Sequence, residues 1–77
     1  MRRVKLTERQ VKIAQLIAQG YTNREIAELL GTSPQVVAQQ VRNLAFKFRL
    51  DPTRSYRIQI AQVVWELGKR IQEQETV

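Results

Sequence analysis

Three helix N-termini are written into residues 7–33, and their spacing constrains the fold more than any other feature of the chain. Thr7-Glu8-Arg9-Gln10 and Thr22-Asn23-Arg24-Glu25 both read Thr-x-x-Gln/Glu. In that pattern the threonine hydroxyl accepts from the amide three residues on, and the side chain there reaches back to the threonine amide, so two otherwise orphaned donors are satisfied. Ser33-Pro34 is a third start, a good N-cap followed by the residue best tolerated in a first turn. Gly20 and Gly31 each fall one position past an apolar helical pattern, where a left-handed residue ends a helix without steric cost to glycine. Helices are therefore expected over about 8–19, 23–30 and 34–49, with only Gly31-Thr32 between the second helix and the Ser33 cap.

The third helix has two unlike faces. Val37, Val41, Leu44 and Phe48 recur at i, i+4, i+7 and i+11, one narrow inward stripe. Gln35, Ala38, Gln39, Arg42, Phe46 and Arg49 lie opposite and are polar or basic except near the C-terminal end. Two helices joined by a tight glycine-containing turn, the second with a polar and basic outer face, form the helix-turn-helix arrangement. Ile13, Leu16, Ile17, Ile26 and Leu30 complete the expected core with that stripe, and Ala27 is small where helices two and three cross.

Asp51-Pro52 ends helix three and reads as cap and first position of a fourth helix. Beyond it Tyr56, Ile60, Val63, Val64, Leu67 and Ile71 make one helical stripe, while Ile58, Ala61 and Trp65 make a second, about 100° or more away. One stripe closes a small core, and the second needs another partner. A helix that runs through Gly68 to about residue 75 is favoured over one that stops at Leu67. For Phe46, a buried partner such as Trp65 or Tyr56 is expected.

Composition narrows the function. Seventy-seven residues support one domain and one small core, with no room for an internal enzyme cleft. With 43% hydrophobic residues, 6% aromatics and five Pro and Gly together, the chain suits an all-α globule. The absence of Cys and His removes thiolate and imidazole metal ligands, the corresponding nucleophiles and a disulfide framework. Glu25 and Glu28 are explained by capping and solvation, so no enzyme and no cofactor are expected. No apolar run approaches the roughly 20 residues of a membrane span, and no signal-peptide core is apparent, so a cytoplasmic location is expected. The net charge of +6 is uneven: residues 1–5 carry +3, residues 33–50 carry +3 through Arg42, Lys47 and Arg49, and the rest balances. Such a distribution suits a partner that carries phosphates.

The run Leu6-Thr7-Glu8-Arg9-Gln10, the segment from Leu16 to Ser33 with Gly20-Tyr21-Thr22-Asn23-Arg24-Glu25-Ile26-Ala27 at its centre, and Val37, Val41-Arg42-Asn43-Leu44 and Lys47-Phe48-Arg49-Leu50 resemble the LuxR/GerE-type helix-turn-helix family. The resemblance implies a four-helix domain with a tri-helical helix-turn-helix core (6–50), a basic N-terminal arm (1–5) and a C-terminal dimerisation helix (51–77). It implies a bacterial transcription regulator that binds a pseudo-palindromic DNA site as a homodimer. By position, base-edge contacts fall on Ala38, Gln39 and Arg42, and backbone contacts on Ser33, Gln35, Val36, Lys47, Arg49 and Arg24. Gln39 suits an adenine edge and Arg42 a guanine edge. Three positions depart from the family pattern: Val36 stands for the usual Thr, Ala38 for Lys and Gln40 for His, so sequence preference is expected to differ. The implied dimer face comprises Ile58, Ala61, Trp65, Val64, Leu67 and Ile71, although about three extra residues between Leu50 and Arg57 lengthen the connection to it. Relatives of this type often carry an upstream receiver or ligand-binding domain. With Met1 five residues before Leu6, a free-standing GerE-like regulator or a fragment is expected. Two alternatives share parts of the pattern: a sigma-factor region-four domain, and a protein-interaction module whose apolar faces around Phe46, Trp65 and Ile58 bind polymerase or a partner regulator.

Overall fold

A computed structural model describes residues 5–75, and the side chains of residues 5–68. Four helices follow one another: α1 (Glu8–Ala18), α2 (Asn23–Leu30), α3 (Pro34–Phe48) and α4 (Tyr56–Glu75). Both capping boxes form. Thr7 Oγ1 accepts from the Gln10 amide while Gln10 Oε1 accepts from the Thr7 amide, each at 3.1 Å. Thr22 and Glu25 repeat the exchange at 3.1 and 2.9 Å. Ser33 Oγ accepts from the Val36 amide at 3.3 Å and Pro34 opens α3.

The first three helices also end alike. The amides of Tyr21, Thr32 and Leu50 each reach back five residues, to the carbonyls of Leu16, Ala27 and Ala45 at 2.9–3.1 Å, around a left-handed residue. In two cases that residue is glycine, Gly20 (φ 94°) and Gly31 (φ 67°), and in the third it is Arg49 (φ 53°). Helix ends so closed leave little freedom in the turns, and the turn Gly31-Thr32-Ser33 fixes the angle between α2 and α3.

The core gathers one stripe from every helix. Ile13, Leu16 and Ile17 of α1, Ile26 and Ala27 of α2, Val37, Val41 and Leu44 of α3, and Ile60 of α4 are buried together. Leu30 and Phe48, expected among them, are half-buried at the edge of this cluster with Leu6, Tyr21, Leu50, Tyr56 and Val64. Ile13, Ile26, Val37, Leu44 and Ile60 are fully shielded, so truncating any of them leaves a cavity costing about 2 to 5 kcal/mol.

The α3–α4 connection differs from the sequence expectation. Asp51 does not cap α4: its Oδ1 accepts from the Thr53 amide at 2.9 Å and the Thr53 hydroxyl at 2.6 Å, which folds residues 51–53 into their own turn. Those two bonds hold the carboxyl of the fully exposed Asp51 below the usual carboxylate range. The helix begins instead after Ser55, whose Oγ accepts from the Ile58 amide at 3.4 Å. Gln59, one turn into α4, clamps the connection by accepting from the Asp51 amide and donating to the Asp51 carbonyl, both at 2.9 Å. Arg57 ties α4 to the α1–α2 turn by donating to the Tyr21 carbonyl and to Asn23 Oδ1.

Candidate nucleic-acid interface

The α2–turn–α3 unit presents the outer face of α3 to solvent. Burial of Val37, Val41 and Leu44 fixes the rotation of the helix, and Gln35, Gln39, Arg42, Phe46 and Arg49 are exposed on the other side. Val36 is 40% exposed beside the N-terminus, and Ala38 is half-buried. Its methyl group leaves the middle of the face shallow, flanked by the longer Gln39 and Arg42 side chains. Ser33 is half-buried because its hydroxyl serves the first turn of α3. Arg24, in the first turn of α2, is exposed.

Four cations, Lys5, Arg42, Lys47 and Arg49, and no carboxylate line a groove along the C-terminal half of α3, together with Phe46, Tyr56 and Pro52. Arg42 and Arg49 lie on the outer side of α3, while Lys47 projects toward α1. Glu25 sits apart, at the N-terminus of α2. There the hydrogen bonds with the Thr22 backbone amide and hydroxyl hold its carboxyl below the usual range, so it is ionised as a helix cap.

Two residues on α3 have tasks the sequence did not disclose. Gln40 faces α1, where its Oε1 accepts from Gln10 Nε2 at 3.2 Å. Lys47 also turns to α1: its Nζ donates to Gln10 Oε1 at 2.7 Å and to the Lys5 carbonyl at 2.8 Å. Gln10 is the hub of this network and the one buried polar residue among the described side chains. Its carbonyl oxygen accepts from both Thr7 and Lys47, and its amide nitrogen donates to Gln40. The capping pattern placed Gln10 at the start of α1 but gave no sign of partners 30 and 37 residues away. Nor does any local pattern signal the task of Arg57, which binds Tyr21 and Asn23. Arg2 and Arg3 of the basic arm lie outside the described residues.

Phe46 corrects another expectation. It is 87% exposed rather than covered, because Tyr56 lines the same groove without closing over the ring, and Trp65, itself 70% exposed, lies on the outer side of α4.

On α4 the two apolar stripes separate. Ile60, with Tyr56 and Val64, packs on the core; Ile58 and Trp65 face solvent at 59% and 70% exposure, with Ala61 half-buried between them. Val64 therefore contributes to the protomer's own core, one turn after Ile60 on the same side. Leu67 follows that side past the end of the core and is 49% exposed. The Ile71 side chain lies outside those described.

A family model described as bacterial regulatory proteins, luxR family, matches residues 4–54, which spans α1, α2, α3 and the turn after them and leaves α4 outside the match. No match was found among curated proteins or solved structures.

Proposed function

The chain belongs to the luxR family of bacterial regulatory proteins, whose helix-turn-helix domains bind DNA, and from that premise we propose that it acts as a homodimer on a pseudo-palindromic site with α3 in the major groove. One observation carries this reading. The inward stripe of α3 is buried to its last methyl at Val37 and Leu44, which commits Gln39 and Arg42 to the exposed side, on the helix that α2 braces. Gln39 hydrogen-bonds an adenine edge, Arg42 makes a bidentate pair with guanine, and Ala38 lets the helix approach between them. Ser33, Gln35 and Val36 at the α3 N-terminus, Arg24 on α2 and Arg49 at the far end meet phosphates and set the register. Lys47 adds charge to that face, although its ammonium group already tethers α1.

The dimer forms through the outer stripe of α4, where Ile58, Ala61 and Trp65 stand at i, i+3 and i+7. Exposed Ile58 and Trp65 supply the apolar anchor that such a seam requires. Two copies then hold their α3 helices about 34 Å apart, one turn of DNA. A protein with this task works on the bacterial chromosome, in the cytoplasm. A second reading, an interaction module for polymerase or a partner regulator, draws on the same exposed apolar side chains.

Equilibrium binding to duplexes selected from a random pool, repeated over a range of salt, tests the first reading. Affinity falls steeply with salt, and Arg42→Ala weakens binding by about 10- to 100-fold for each half-site, the value of a bidentate base contact. Salt-insensitive association, or an Arg42→Ala protein that binds like the wild type, overturns it in favour of the second.

A further inference from the structure

Phe46 is the large side chain least accounted for by the fold, and its position suits a specific ligand. It follows Arg42 by four residues and Gln39 by seven, so all three share one edge of α3. Its ring is 87% exposed. The groove beside it is lined by Lys5, Arg42, Lys47 and Arg49 and by no carboxylate, which suits a partner that carries negative charge around an apolar spot. A duplex has that composition in the major groove: phosphates at the rim, and inside it one apolar group, the 5-methyl of thymine.

We propose that Phe46 is a specificity-determining residue that rests its ring on a thymine 5-methyl group in the major groove. The inference depends on α3 lying in that groove. A separation of four residues advances about 6 Å along a helix, close to two base-pair steps of about 3.4 Å, so the thymine lies roughly two base pairs from the one Arg42 reads. Arg49, one turn further on, is placed for the phosphate beyond it. The contact adds no charge and leaves the salt dependence of binding unchanged.

Uracil, which is thymine without the methyl group, makes the test direct. In a selected duplex each thymine is replaced singly by deoxyuridine, and binding of the wild type and of Phe46→Ala is measured by fluorescence anisotropy at fixed salt. A substitution in one half-site weakens the wild type about fourfold, the value of burying one methyl group, and substitution in both half-sites weakens it about sixteenfold. Phe46→Ala is weaker than the wild type on the thymine duplex and indifferent to that uracil, with an unchanged slope against salt. Because the ring is exposed, the variant keeps the wild-type helicity and melting temperature. Equal sensitivity of both proteins to every uracil overturns the inference alone, as does a Phe46→Ala protein that binds all duplexes like the wild type, which assigns the ring to a protein partner. A wild type with no salt-dependent duplex binding overturns the functional reading and the inference together.

Discussion

Among the described residues Arg49 is the one non-glycine with a positive φ, and it stands where α1 and α2 use glycine to turn out of a helix. Left-handed backbone costs an L-residue about 1 to 2 kcal/mol, while glycine loses about 0.5 to 1 kcal/mol more chain entropy on folding, so relief of strain wins by a small margin. Arg49→Gly is expected to raise the melting temperature by about 2 to 6 °C, read by circular dichroism. With Arg49 on a phosphate, as proposed, the same variant is expected to lower the slope of log affinity against log salt by about 1 per protomer. Gln10, buried and bonded to Thr7, Gln40 and Lys47, holds the start of α1 against the outer half of α3. Gln10→Ala leaves the Gln40 carbonyl and the Thr7 amide without partners, and urea unfolding is expected to show a loss of about 2 to 3 kcal/mol.

At the scale of the element, each helix start has its own chemistry. The α1 box uses a neutral Gln10, whereas the α2 box uses a carboxylate, Glu25, held below its ordinary pKa of 4.5 by Thr22. The folded state therefore binds the Glu25 proton less readily than the unfolded chain. That contribution to stability is present above pH 4.5 and is lost as pH falls through the lower, folded value. Asp51, lowered from 3.8 by Thr53, adds in the same direction. Glu25→Gln keeps the cap, as Gln10 does in α1, and removes one titrating group. Its denaturation midpoint is expected to fall less than that of the wild type between pH 5 and about pH 3. A steeper fall in the variant contradicts the assignment. The Asp51 turn and the Gln59 clamp act on the last connection in the same local manner, and they move the start of α4 from Pro52 to Tyr56.

For the whole molecule, α4 has two apolar sides, one buried and one exposed. Ile60 is fully buried against α1 and α3, and Ile58, two residues earlier, is 59% exposed. Ile60→Ala is expected to cost about 2 to 5 kcal/mol and to unfold much of the domain at ambient temperature. Ile58→Ala and Trp65→Ala are expected to leave monomer stability within about 0.5 kcal/mol while they shift sedimentation from dimer to monomer. Sedimentation unchanged by either variant rules the outer stripe out as the dimer seam. The family match ends at residue 54, so the helix that carries both sides is the part of this chain the family pattern describes least.

The sequence by itself determined the helical class, the two capping boxes, the Ser33-Pro34 start and the stripe that turns Gln39 and Arg42 outward. Capping and helical periodicity are set by residues within four or five positions of one another, so they can be read along the chain. Only the tertiary structure decided that Gln40 and Lys47 bind Gln10, that Arg57 holds the α1–α2 turn, that Val64 closes the core while Trp65 stays outside, and that Phe46 is uncovered. The Gln10 and Arg57 contacts join partners 30 or more residues apart, brought together by the way four stripes share one small core, and no local pattern encodes which neighbour a side chain then meets.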